Sequence, residues 1–448
     1  MIAPLTQRAH FAALADAVCN ALDAVDRVTL YLRAECSDFI RFNHASVRQA
    51  THVDQGLATL AVVRGARRIE STLTLPGRLD ADIALLLRER AALIGDLPAV
   101  PEDPYLLLPQ EMASSQREET GHLPSPEQVV RAVAAAAATL DFVGFYAGGP
   151  VVRAFADSRG QRNWHRVESF HFEWCLYTAA ARDKAVKSDY AGTDWSEAEF
   201  ELRVASGAQR LALLAHPVRR LSPGAYRACF SPAAMNELLG TLSWGGFGSQ
   251  ARRTGTSSLM QLAHGDAALD ARMTIGEATA AGIAPAFTAE GFVKPERVRL
   301  VDRGRAADTL SSPRSAREYG LPANGANEQE SPVALRLEPG SLPAADALRT
   351  LDTGLFISNL WYLNYSDRAA CRMTGMTRFA CFWVERGELV APLDVMRFDD
   401  SFLRLFGEGL VALTDRAESI AESGTYVERQ LASVTTPSAV VQGLRLTL

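Results

Sequence analysis

A change of hydrophobic period at Arg27 sets the strongest limit on what this chain can fold into. Before it, Phe11, Leu14, Ala15, Val18 and Leu22 recur at helical spacing. After it, Val28, Leu30 and Leu32 alternate with Thr29, Tyr31 and Arg33, which is the two-residue repeat of a strand. Further strand-like runs follow at Phe39–Phe42, Val47–Thr51 and Leu57–Val63. The turn Val63-Arg64-Gly65-Ala66 then leads into Arg68–Leu75. Short strands joined by short turns predict an antiparallel meander. Residues 79–94 return to a helical pattern, so helices flank the strands and the fold class expected is α+β.

The next segments extend that reading. Residues 97–124 carry Pro98, Pro101, Pro104, Pro109 and Pro124 and read as an extended arm or linker. A helix starts behind it, with Ser125 as cap, Pro126 in the first position and Gln128 completing a capping box. Strands are expected at Val151–Ala156 and Trp164–Tyr177, and a helix over 195–215 with Ser196 as its cap. A strand at Tyr226–Phe230 runs into Ser231-Pro232 and a helix with Met235, Leu238, Leu239 and Leu242 on one face. Beyond it the chain reads as strands and loops. One late helix is expected, capped by Asp399 or Asp400 and lined by Phe402, Leu405, Phe406, Leu410 and Leu413, before the β-rich end Ala439–Leu448. The expected organisation is an N-terminal α+β domain (1–96), the arm (97–124), a middle α+β domain (125–224) and a C-terminal β-rich domain with a few helices (225–448).

Composition narrows the function. The 448 residues carry 46 basic and 52 acidic side chains, a net charge of −6. A chain-wide basic surface for nucleic acid or anionic lipid is therefore not expected. No apolar run reaches the ~18–20 residues that span a bilayer. The N-terminus lacks a signal-peptide pattern, so a cytoplasmic location is expected. Cys19, Cys36, Cys175, Cys229, Cys371 and Cys381 are scattered without a C-x-x-C pair, which favours reduced, mostly buried thiols.

Few residues suggest chemistry directly. His165 and His171 share one strand face, and His171-Phe172-Glu173 is the fragment closest to a metal motif. A half-exposed strand with polar residues on one side explains it better. Trp244-Gly245-Gly246-Phe247-Gly248 is glycine-rich but lacks a P-loop Lys-Ser/Thr and the strand–helix context of a dinucleotide site. No G-x-S-x-G elbow occurs. From these residues alone no active site follows.

The order of several segments resembles the TldD/PmbA family of peptidases. They are Ser231-Pro232-Ala233-Ala234 with Glu237-Leu238-Leu239-Gly240, Gly255–Leu259, Phe287 with Glu290-Gly291, and Val301-Asp302-Arg303-Gly304. Ser315-Ala316-Arg317, Gly325, Leu337-Glu338-Pro339-Gly340, Thr374-Gly375-Met376 and Ser433–Leu448 follow in the family's order. The resemblance covers most of the chain and is strongest from about residue 225. It implies a peptidase in which H-E-x-x-x-H on one helix and a late cysteine hold zinc, with the glutamate as general base. Here those positions fall on Gly240, Thr241, Gly245 and Tyr426, and residues 226–260 contain no histidine. Glycine offers no ligand and threonine is a poor base. The resemblance therefore implies the TldE/PmbA type of subunit, with no catalytic or metal-binding residue of its own. Zinc is expected in a TldD-like partner, in a heterodimer or larger assembly acting on unfolded peptides. A homodimer and a chamber turned to metal-free chemistry remain the alternatives. Asn359-Leu360-Trp361-Tyr362-Leu363-Asn364 is aromatic enough for peptide contact, although it reads better as a core strand.

Overall fold

A computed structural model describes residues 3–20, 22–178 and 184–447. Leu448, at the end of the expected β-rich stretch, lies outside them. The fold is α+β: an antiparallel sheet with helices forms the N-terminal half, and a larger mixed sheet the C-terminal part.

The first sheet is built from β1 (Arg27–Asn43), β2 (Ser46–Arg64), β3 (Arg67–Thr74), β4 (Ser115–Glu119), β5 (Asp141–Asp157), β6 (Arg162–Tyr177) and β7 (Ala185–Gly192). Its order is β3-β2-β1-β5-β6, with β4 and β7 both on β6. All pairs are antiparallel except β4 with β6. The meander is present, but its strands are long. The runs expected at Phe39–Phe42 and Val47–Thr51 are the ends of β1 and β2, which pair almost throughout around a tight turn at His44 and Ala45. Because β1 pairs with β5, strands of the 1–96 and 125–224 segments form one continuous sheet. The proline-rich stretch contributes too: Ser115–Glu119 is a strand rather than free arm, held parallel to Asn163–Val167.

Burial follows the parity of the strands. Even positions of β1 (Val28, Leu30, Leu32 and Ala34) pack with Ala58, Leu60, Val62, Ala154 and Ala156 under α1 (Arg8–Val18) and α2 (Leu79–Asp96). Farther along the same face, Ile40, Phe42, Phe142, Tyr146, Phe172 and Trp174 pack under α3 (Pro126–Ala137) and α4 (Glu197–Leu213). The predicted capping box of α3 and the Ser196 cap of α4 are both formed. The odd face is buried as well, against the C-terminal part. Val151 and Val167 meet Ala284 and Leu431 there, and a Cβ on Gly291 would strike the Phe155 ring at 2.5 Å.

In the C-terminal sheet, the long strand Ser433–Leu446 is central. It pairs antiparallel with β8 (Gly224–Phe230) and with Leu410–Ala421, and parallel with Ala334–Leu337. Ser231 caps α5 (Pro232–Leu242) as expected, and Met235, Leu238, Leu239 and Leu242 are buried against the sheet. The late helix is much shorter than expected, only Phe402–Leu405. Gly407 then passes so close to the Leu403 and Ala268 carbonyls that no side chain fits, and the chain enters the strand at Leu410. Asp400 does not cap this helix. Its buried carboxylate accepts from Arg404 Nε at 2.9 Å and from the backbone N–H groups of Ser401 and Arg445.

Arg429 joins the two parts. It lies in the loop before Ser433–Leu446 and is buried against the odd face of the first sheet. Nη1 donates to the Gly149 carbonyl at 2.9 Å, and Nη2 to the Ser169 carbonyl at 2.7 Å and its hydroxyl at 3.1 Å. Arg153 Nη2 donates to the Arg429 carbonyl at 3.1 Å, and Arg33 to Glu428 at 3.0 Å. Removing one member of such a buried charged network strands its partners. Arg429→Met is therefore expected to cost about 3 kcal/mol or more in urea unfolding. A loss under about 1 kcal/mol would show that the apolar contacts, not this cation, join the parts.

Candidate functional site

A groove of about 770 Å³ runs between the odd face of the first sheet and the C-terminal part. One wall is the end of β6 and the edge strand β7, with His171, Glu173, Lys187 and Asp189. The other is α5 and the strand Asn359–Asp367, with Glu237, Gly240, Thr241, Trp361 and Tyr362. The strand turns the expected aromatic segment outward. Trp361 and Tyr362 are 44% and 68% exposed, so they are groove surface rather than core. Their rings stack at 4.1 Å between centroids, and Arg378 lies over Trp361 at 4.3 Å. Tyr362 adopts a left-handed backbone (φ 51°), which interrupts the pairing of this strand with its neighbour. Trp244, in the glycine-rich loop after α5, adds a third exposed ring.

The charges facing the groove are perturbed. Burial is the main cause raising the Asp189 carboxyl to about 6, with Glu418 adding to it and Arg203 and Lys187 opposing it. Desolvation also raises Glu237. Lys187 ion-pairs with Glu173 at 3.2 Å and is held above its ordinary value despite burial. Sequence reasoning missed Asp189, Glu237 and Lys187, because their chemistry comes from strands and helices brought together by the fold.

The histidines do not form a site. His165 and His171 do share the odd face, but both are buried and burial lowers each to about 4. His165 Nε2 lies 2.9 Å from the Ile283 carbonyl, and His171 Nε2 has no partner among the described residues. Another ordered set lies on β1 and β2: Cys36 Sγ is 3.5 Å from His52 Nε2, whose Nδ1 is 2.8 Å from Asp38. Burial, with Asp54 and Asp38, raises that thiol, which opposes thiolate chemistry. No cluster of three or more His, Cys, Asp or Glu suited to a metal occurs among the described residues.

The positions that the resemblance assigns to zinc do not fit the ion. Gly240 faces the groove, and a Cβ there would meet nothing within 4 Å. The Thr241 hydroxyl is committed to the Glu237 carbonyl at 2.9 Å. Gly245 is not on the helix at all. α5 ends at Leu242, and Gly245 has a left-handed backbone (φ 77°). Gly246 then approaches the Leu242 carbonyl so closely that no side chain fits. The turn that would carry a second ligand is therefore unwound. Tyr426 is fully exposed on the loop whose base is Arg429.

The chain is thus a two-part α+β fold with a groove between its parts and α5 along one wall. Residues 223–448, just over half of the chain, match the family described as PmbA/TldA metallopeptidase, C-terminal domain, and the chain belongs to this TldD/PmbA family. TldE from Thermococcus kodakarensis is similar in fold, with TM-score 0.78 at 12% identity over 95% of this chain and 97% of that one. A protein described as a modulator of a DNA gyrase from Thermotoga maritima has TM-score 0.74 at 14% identity over 94% and 96%. Another, from Bacteroides thetaiotaomicron, has TM-score 0.75 at 12% identity over 99% and 98%. No curated protein matches the chain in sequence.

Two outcomes follow from this geometry. Gly240→Ala, in a helix with open space at the Cβ, is expected to stabilise the protein by about 0.5–1 kcal/mol in denaturant melts. Destabilisation would mean that the site is packed, not open. Asp189, with a folded pKa above that of an unfolded aspartate, favours the folded state most at low pH. It gives up that contribution as pH rises through about 6. Asp189→Asn should therefore raise Tm at pH 7.5, with the gain shrinking by pH 4.5. An equal effect at both pH values would remove the assignment.

Proposed function

We propose that this chain is the TldE-like subunit of a two-component peptidase in the cytoplasm, holding unfolded peptide while a zinc-bearing TldD-like partner cuts it. One observation carries the reading: the groove is open along α5, yet the positions for zinc present two glycines, a committed threonine and an exposed tyrosine. An intact metallopeptidase needs three protein ligands and a water on the ion, and this helix ends before it could present the second ligand. Family membership and the likeness in fold to a TldE support the same reading.

The chain's own contribution is binding. Exposed stacked rings give a peptide apolar and cation–π contact without demanding one sequence. β7 is the edge of its sheet and lines the groove, and beyond the Asp189 carbonyl, which accepts from Arg203 at 3.0 Å, its outer edge can pair with an extended chain. The raised carboxyls of Asp189 and Glu237 favour one further reading, metal-free acid–base chemistry on a peptide or metabolite.

The test is reconstitution. The purified chain alone is expected to hold no stoichiometric zinc and to leave an unfolded peptide intact. Adding a TldD-like partner should produce cleavage and a heterodimer or larger species on gel filtration. Stoichiometric zinc with cleavage by this chain alone would overturn the proposal. Turnover by the metal-free chain, lost in Asp189→Asn or Glu237→Gln, would establish the second reading.

A further inference from the structure

A smaller pocket of about 290 Å³ opens off the groove, sharing Lys187, Asp189, Ala233, Asn359 and Ile420 with it. α4 and the strand Leu410–Ala421 form its far side. Most charges there are already committed. Arg203 Nε donates to Glu199 at 2.7 Å and Nη1 reaches Glu418 at 3.4 Å. Lys187 is held by Glu173.

Arg210 is the exception. It sits in the last turn of α4 and lines this pocket. Its Nε is buried without an acceptor, and the side chain makes no hydrogen bond or close ion pair among the described residues. Glu418 acts on it only at a distance. An Nε–H withdrawn from water without an acceptor is costly, and the guanidinium's fork of donors matches a carboxylate.

We propose that Arg210 receives a carboxylate of the peptide lying in the groove, making this pocket an anchor for a C-terminus or an acidic side chain. This rests on the peptide-binding reading above. The opening into the groove lets an extended chain place one group in the pocket while its remainder lies against Trp361 and Tyr362. The other charges limit the guest. Glu418 is engaged by Arg203, but the Asp189 carboxyl has no ion pair among the described residues and faces the same space. One uncommitted cation beside one uncommitted acid suits a single negative charge and disfavours a doubly charged phosphate.

Three fluorescent peptides of one neutral sequence test this by anisotropy with the full chain: free C-terminus, C-terminal amide, and amide with one terminal Glu. The free acid, the Glu peptide or both should bind about tenfold tighter than the plain amide. Arg210→Met should erase that preference while keeping amide binding. Preference for the free acid identifies the terminus, and preference for the Glu peptide the side chain. Equal affinities for all three, or a preference that survives in Arg210→Met, would overturn the pocket assignment alone. Absence of binding by every peptide would instead overturn the peptide-holding reading. Should Arg210→Met fail to fold, Ser206→Trp, at an exposed position of α4 on the pocket wall, is expected to block the preference by obstruction.

Discussion

The guanidinium of Arg429 spends its hydrogen bonds on carbonyls of a sheet far from it in the chain, and the position of the groove depends on that choice. Gly149 and Ser169 belong to β5 and β6, and Arg429 belongs to the loop that feeds the central strand of the other sheet. Burial brings the Arg429 pKa down to about 10, still far above neutrality, so the cation is present. A buried cation stays only where acceptors surround it. The network therefore tolerates little sliding of one sheet over the other, and the gap left between them is the groove.

This junction also explains which parts of the fold were legible in the sequence. Helix starts were readable because a cap is local: Ser125, Ser196 and Ser231 each bond to a backbone N–H within their own first turn. The first strand was readable while its odd positions stayed polar. Strands buried on both faces lose that alternation. β5 runs buried from Val151 to Asp157 because helices cover one side and the C-terminal part the other. The length of β1 and β2 was hidden because the outer half of β2 is exposed and polar. The late helix failed for a related reason. Phe402, Leu405 and Phe406 do pack together, but Leu410 and Leu413 reach the core from a strand, so an apolar run was mistaken for one periodic face.

The groove was barely legible in the sequence. A missing histidine is a statement about letters, and residues 226–260 carry none. That the helix itself stops at Leu242 was not readable, since Thr241–Ser243 carry no breaking residue and the stop depends on Gly245 and Gly246 folding back onto the Leu242 carbonyl. No motif or spacing marks Lys187, Asp189 and Glu237 as a group in the sequence. Their altered titration arises from being walled in by elements distant in sequence.

The charge balance in the groove then constrains what the molecule can do. Lys187 is tied to Glu173, and Arg203 bridges Glu199 and Glu418, so these five carry structure. Of the charges lining the side pocket, Asp189 and Arg210 are left over, one acid and one base, each without an ion pair among the described residues. Two opposite charges in so small a pocket would normally relax onto each other, because pairing recovers part of the desolvation cost. The fold keeps them apart by placing one on β7 and the other on α4. A surface that holds opposite charges apart fits a chain that brings its own polar groups to the site, as the backbone and end of an unfolded peptide do.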